Sequence, residues 1–306
     1  MADAGARVTV LDPGAGAAAA SWASAGILSP GHPHLLPQPF HDLAARSMEL
    51  WPRIGVRHPE LALRQVGMLV LGEDPDLIAW REERGLACVP AQWLGAPAAL
   101  LPEVAVLRAS LAAPALLRGS GQQARIPLEA RRVEVEDLEE LRRGADAVVI
   151  AAGAWATPLL AAVGLSLPVV PRRGQMMRFG CPAPPPVLRQ ADGEGIVVPR
   201  DDGRVLVGTT LEDVGFDAAT EPATLDRLEA WARRQVPGLG AREDAWAGLR
   251  PATPRPLPVI GRAAEGVIAA VGHFRNGVLL APATGELVRD LVLGRTPRTD
   301  PAPFAP

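Results

Sequence analysis

The apolar positions of this chain change rhythm along its length. Near the start, Arg7-Val8-Thr9-Val10-Leu11 is a short β-branched stretch closed by Asp12-Pro13-Gly14, which predicts a strand and a turn. Residues 40–56 place Leu43, Met48 and Trp51 on one side of a helix, and residues 65–71 and 75–84 read as a strand and a helix. Residues 86–127 show no clear period. Asp146-Ala147-Val148-Val149-Ile150-Ala151-Ala152-Gly153 is a continuous apolar run ending in small residues, the pattern of a parallel strand covered on both faces. From 174 to 210 the texture becomes one of short strands at 175–179, 195–199 and 204–210, with Asp201-Asp202-Gly203 as a hairpin turn because Asp and Gly accept positive φ. A helix is predicted over 222–235, strands over 258–261 and 267–271, and a long helix over 277–293.

Parallel α/β texture at both ends and antiparallel texture between them imply an α/β fold with an α+β insertion. The expected architecture is a Rossmann-like nucleotide-binding domain assembled from residues 1–60, 108–167 and 247–306. An antiparallel β-sheet substrate domain, residues 61–107 and 168–246, is inserted into it.

Composition narrows the function classes. The 306 residues are 48% hydrophobic with a formal net charge of −3 and a pI of about 6.0. That balance favours neither nucleic acid nor an anionic membrane. No apolar run reaches the roughly 20 residues needed to span a bilayer. The opening MADAGARVTVLDPG lacks the basic and then apolar pattern of a secretory leader, so a cytoplasmic location is the expectation. Cys88 and Cys181 are isolated thiols that form no disulfide framework. His32, His34 and His41 lie in a proline-rich stretch without the close geometry or acidic and thiol partners of a metal site, so no metal is expected. The chain has no Lys and no Tyr, and Asn276 is its one Asn.

Four segments carry candidate chemistry. A strand ending in an acid, here Asp12, is where a dinucleotide-binding unit accepts bonds from a ribose hydroxyl, although a plain turn gives the same string. Ser21-Trp22-Ala23-Ser24-Ala25-Gly26-Ile27-Leu28 has the small residues that let backbone approach a flat ligand. Arg250 sits in the apolar, proline-restrained Trp246–Pro254 segment, where its planar fork would pair with either a substrate carboxylate or a buried acid. Gly272-His273-Phe274-Arg275-Asn276 is a polar turn ahead of an apolar helix, whose first N–H groups suit an electron-rich ligand atom.

Gly248-Leu249-Arg250-Pro251, then Pro258-Val259-Ile260-Gly261, then Gly272-His273-Phe274-Arg275-Asn276-Gly277-Val278-Leu279-Leu280-Ala281-Pro282-Ala283-Thr284 resemble the carboxyl-terminal motif of the glycine oxidase branch of the D-amino-acid oxidase and sarcosine oxidase family. Ser21 to Gly26 and Ala152-Gly153-Ala154-Trp155 agree with it. That branch serves the thiazole arm of thiamine biosynthesis. The resemblance implies FAD as cofactor and oxidative deamination of glycine or a similar small amino acid, giving oxo acid, ammonia and hydrogen peroxide. It places Asp12 and Pro13 at the adenosine ribose, Val133 at the adenine, and Ser21, Ala25, Gly26, Ile27 and Gly153 beside the cofactor. Arg250 falls on the substrate carboxylate. His273, Phe274, Arg275, Asn276, Gly277, Val278 and Leu279 fall around the isoalloxazine, with Arg275 also near substrate. The partners implied are a small amino-acid or amine substrate and molecular oxygen, with a homo-oligomer left open.

Three departures qualify the likeness. The Gly-rich pyrophosphate turn belongs about 20 residues before the acidic strand end, and only eleven residues precede Asp12. The chain is thus expected to lack the first βα unit, as an N-terminally truncated member would. The crossover around 112–123 is shorter than in the family. Ile196 stands where the family has an aromatic hydroxyl. The alternatives are an FAD oxidase of another amine (a D-amino acid, sarcosine or proline), or a remnant that binds no flavin.

Overall fold

The computed structural model describes residues 1–14, 20–31, 35–118, 126–191 and 195–306. In chain order the strands begin with β1 (Val10–Leu11), β2 (Ile27–Leu28), β3 (Arg64–Gln65), β4 (Met68–Leu71), β5 (Val89–Trp93), β6 (Ala96–Leu101), β7 (Ala105–Val106) and β8 (Leu128–Glu129). They continue with β9 (Val148–Ile150), β10 (Val170–Gly180), β11 (Val187–Gln190), β12 (Ile196–Pro199), β13 (Arg204–Gly208), β14 (Arg242–Ala252), β15 (Val259–Ala264) and β16 (Val267–Val271). The helices are α1 (Ala20–Ala23), α2 (Gln38–Arg57), α3 (Pro75–Glu83), α4 (Ala112–Arg118), α5 (Leu138–Gly144), α6 (Ala156–Ala162), α7 (Pro222–Gln235) and α8 (Gly277–Val292).

The parallel pairings fall in two small sheets and at one place in a large one. β1 pairs with β8 in parallel, and β9 pairs in parallel with β16, which is antiparallel to β15. Among the described residues no strand joins β1 to β9. The large sheet runs β14-β10-β13-β12-β11-β4-β6-β5 and is antiparallel apart from the β11–β4 pair. This is the mixed α/β architecture expected, with the Rossmann-like strands in separated pieces.

Alternation along the large sheet builds two cores. Met177, Phe179, Val205 and Val207 face α7, which offers Leu225, Leu228 and Ala232 at helical spacing. Met68, Met176, Ile196, Val198 and Leu206 face the other way, toward Ala25 and Ile27. A separate core holds α2 against α8. There the Trp51 indole donates to the Leu279 carbonyl at 3.1 Å, Ala283 N–H donates to Ser47 Oγ at 3.1 Å, and Arg46 pairs with Glu286 at 2.7 Å. No helix among the described residues is long and apolar enough to cross a membrane.

Several elements differ from the sequence reading. The stretch 65–71 is two strands, β3 and β4, because Gly67 turns the chain at φ 71°. Only Val10–Leu11 of the first predicted strand forms a ladder. The unread region contains the β5–β6 hairpin, whose turn holds Leu94 and Gly95 at φ 50° and 82°. Its Ala and Pro content hid it, since neither favours strands. The segment around Arg250 is part of an eleven-residue strand, β14, paired along β10. Cys88 and Cys181 are free thiols.

Candidate active site

A cavity of about 3200 Å³ lies between the pieces. It is several-fold larger than the roughly 300–1000 Å³ of a drug-sized pocket, so it has room for a dinucleotide and a substrate together. Asp12 and Pro13 line it at the end of β1, where Gly14 N–H donates to Asp12 Oδ1 at 2.8 Å. Val133, Gly153, Ser21, Ala25, Gly26 and Ile27 line it too.

The Ala25–Gly26 loop is clamped from below. Gly26 has φ 65°, and a Cβ there would lie 2.2 Å from the Leu107 carbonyl oxygen, so the position excludes a side chain. The Arg200 guanidinium donates to the carbonyls of Ala25 at 2.9 Å and Leu107 at 2.8 Å. Burial pushes its pKa down to about 10. Behind the loop, the Trp246 indole donates to the Ala23 carbonyl at 3.0 Å, and Gly248 leaves room for the Ala23 methyl.

On the opposite side, β16 turns into α8. Gly272 at φ 76° and Phe274 at φ 49° make the turn, and Phe274 N–H is held by the Pro251 carbonyl at 3.0 Å. The N-cap residue Asn276 makes no side-chain cap bond, and Gly277 and Val278 line the cavity, which brings the first N–H groups of α8 and their partial positive charge to it. His273 Nε2 lies 3.0 Å from Thr284 Oγ1, and desolvation lowers the imidazole pKa to about 4, leaving it neutral at pH 7. His273, Phe274, Arg275, Asn276, Gly277 and Val278 all line the cavity. Leu279 is not among them. Its side chain is buried in the α2–α8 core, because helical rotation turns that position inward.

Arg250 reaches the same cavity from β14. Its Nη1 donates to the carbonyls of Thr210 at 2.9 Å and Arg173 at 3.3 Å, and its Nη2 to Thr209 Oγ1 at 2.5 Å. Every acceptor is neutral, and among the described residues no carboxylate forms an ion pair with it. Desolvation first, and the charge of Arg275 second, lower its pKa to about 10. Glu212, the acid whose charge acts on Arg250, is itself held by Arg173 and by Gln175 Nε2 at 2.8 Å. Arg275 is also shifted down by desolvation.

The sequence reading missed Arg200, Gly174, Thr209 and Met176, which also line or brace the site. None lies in a motif, and each becomes visible only through strand register. Ile196, noted as the departure, lines the cavity at 4% exposure. His41 is buried with its ring nitrogens 3.1 Å from the carbonyls of Pro30 and Leu36, while His32 and His34 lie outside the described residues.

Comparison with known proteins agrees with this geometry. The model of the family described as FAD dependent oxidoreductase matches residues 1–291. Glycine oxidase from Pseudomonas aeruginosa is 35% identical over 342 residues, covering 100% of this chain and 93% of that protein. Glycine oxidase from Pseudomonas putida is 36% identical, over 98% and 92%. The first alignment is longer than the 306 residues of the chain, so that relative carries internal segments missing here. The crystal structure of glycine oxidase from Geobacillus kaustophilus superposes with a TM-score of 0.83 at 25% identity, over 98% of this chain and 97% of that one. Iminodiacetate oxidase from Chelativorans sp. shares the fold, with a TM-score of 0.86 at 23% identity over 100% and 94%. The chain therefore belongs to the FAD-dependent oxidoreductase family, as a glycine oxidase-like enzyme acting on amino acids.

Proposed function

We propose that this enzyme deaminates glycine or a similarly small amino acid to the oxo acid, with release of ammonia and hydrogen peroxide. One observation carries the reading: Arg250 is a desolvated cation with only neutral acceptors among the described residues, in the cavity that the α8 amino terminus also faces. A buried charge without a counter-ion is costly, and a substrate carboxylate supplies the missing partner.

The residues present fit FAD. The uncapped α8 N–H groups suit the electron-rich edge of an isoalloxazine, the glycine at 26 allows close backbone approach, and Asp12 suits a ribose hydroxyl. When bound, FAD supplies the two-electron acceptor and passes the electrons to oxygen. The protein's task is to orient and to desolvate. Arg250 fixes the carboxylate end of the substrate, Arg275 adds positive potential beside it, and neutral His273 braces the turn through Thr284. Residues 1–60, 108–167 and 247–306 would form the FAD-binding part, and 61–107 and 168–246 the substrate part. The large sheet supports this division, drawing its strands from the latter ranges with β14 crossing the boundary.

A second reading, another amine such as a D-amino acid, sarcosine or proline, is supported by the cavity wall of Met68, Met176 and Ile196, which offers shape and no hydroxyl. A half-length match to Bifunctional protein ThiO/ThiG of Trichormus variabilis, 42% identical over 164 residues, supports a link to thiamine synthesis. The test is oxygen uptake by the flavin-loaded protein across glycine, sarcosine, D-alanine and proline. Turnover highest with glycine supports the first reading. No turnover with any of the four refutes both.

A further inference from the structure

We infer that Gly174 and Thr209 form a seat that aims Arg250 at the substrate carboxylate, making both positioning residues for carboxylate recognition. The inference rests on the reading that Arg250 binds that carboxylate. Strand register explains the seat. Arg172 on β10 pairs with Arg250 on β14, and Gly174 pairs with Gly248, so Gly174 and Arg250 share one face of the sheet. With no side chain at 174, the guanidinium lies flat on the strand. A Cβ built on Gly174 would stand 2.1, 2.2 and 2.3 Å from Nη2, Nη1 and Cζ of Arg250. The three atoms nearest that position all belong to the Arg250 guanidinium, and Gly174 has no positive φ that would demand glycine. The first group a side chain at 174 would meet is the arginine, and the backbone angles there do not call for glycine.

Thr209 completes the seat. β13 stops pairing with β10 at Gly208, and the sheet opens over Thr209 and Thr210. Gln175 N–H there bonds the Thr210 hydroxyl at 3.1 Å in place of a ladder carbonyl. Arg250 fills the opening, with Nη2 on the Thr209 hydroxyl and Nη1 on two carbonyls. The acceptors hold the fork without neutralising it. Glu212, which could neutralise it, is kept aside by Arg173 and Gln175.

The closest collisions of an alanine at 174 are with the far end of a flexible side chain. The fold therefore tolerates it by letting Arg250 swing away. Gly174→Ala, Thr209→Val, Thr209→Ser and Arg250→Ala are prepared as flavin-loaded proteins. Acetate binding is titrated by calorimetry, and kcat and KM are measured with glycine. Gly174→Ala and Thr209→Val are expected to raise the acetate Kd and the glycine KM by about tenfold or more, the loss of one charge-assisted bond. Melting temperature is expected to hold, kcat to stay within about twofold of wild type, and Thr209→Ser to restore binding. Thr209→Val carries the test alone if Gly174→Ala does not fold. Wild-type acetate affinity in both variants, with Arg250→Ala abolishing it, overturns the seat and leaves the carboxylate reading standing. Unchanged acetate affinity in Arg250→Ala overturns both.

Discussion

Replacing Arg250 with Met separates binding from stability, because the two should move in opposite directions. The guanidinium pKa is pushed down to about 10 from 12.5. At about 1.4 kcal/mol per pH unit, that gap costs the folded, charged protein roughly 3 kcal/mol. Methionine is uncharged and of similar length, so it removes this cost. Against the gain stand three lost hydrogen bonds, each worth about 1 kcal/mol. Two of the acceptors keep other donors, since Arg173 O still receives Glu212 N–H at 3.0 Å and Thr210 O the Thr209 hydroxyl at 3.4 Å. Because those two acceptors stay satisfied, the loss falls to about 2 kcal/mol, and the balance is of stabilising sign and about 1 kcal/mol, a rise in Tm of about 1–3 °C for a chain of this length. The substrate loses a charge-assisted pair of about 1.5–3 kcal/mol, which raises KM about 10- to 150-fold. Oxygen-electrode kinetics with glycine and calorimetric melting without ligand measure the two effects. An unchanged KM would remove Arg250 from the substrate site. A Tm lowered by many degrees would show that the guanidinium is a structural strut rather than an uncompensated charge.

Three further outcomes are expected. His273 has a folded pKa of about 4 against 6.5 for an unperturbed imidazole, so the unfolded chain binds more protons between those values. Stability should fall as pH drops from 6.5 to 4, by roughly 3 kcal/mol from this residue, and His273→Gln should flatten that slope in urea titrations at the two pH values; equal slopes would contradict it. Gly26→Ala forces a side chain onto the Leu107 carbonyl in a left-handed conformation. It should cost at least about 1–2 kcal/mol and lower the flavin retained after gel filtration, whereas full retention at wild-type Tm would count against the clamped loop. Trp51→Ala removes a fully buried indole and its bond to the Leu279 carbonyl, with an expected loss of about 3–5 kcal/mol in urea unfolding; a loss under about 1 kcal/mol would mean that α2 does not brace α8.

The parts of the candidate site that can be read from the sequence are local strings. Asp12-Pro13-Gly14 at a strand end, the small residues through Gly26 and the polar turn from Gly272 into α8 each carry their chemistry in consecutive residues. The run at 146–153 announced a buried parallel strand because both its faces are apolar, and β9 does pair in parallel with β16. The side chain of Leu279 shows the limit of such strings, since it is buried in the core. A motif gives order along the chain, whereas a helix rotates about 100° per residue, so one member of the string points into the core.

What the sequence determined by itself was periodicity, turn chemistry and a charged residue in apolar surroundings, because each depends on neighbours within a few residues. The partner of Arg250 was a different matter, left between a substrate and a buried acid. Tertiary structure placed neutral oxygens of Thr209, Thr210 and Arg173 around it and drew Glu212 to Arg173, at separations of about 40 to 80 residues along the chain. Gly174 and Arg200 acquired their roles in the same way. Strand register and the closing of distant segments on one cavity decide which side chains meet, and no local pattern encodes that meeting.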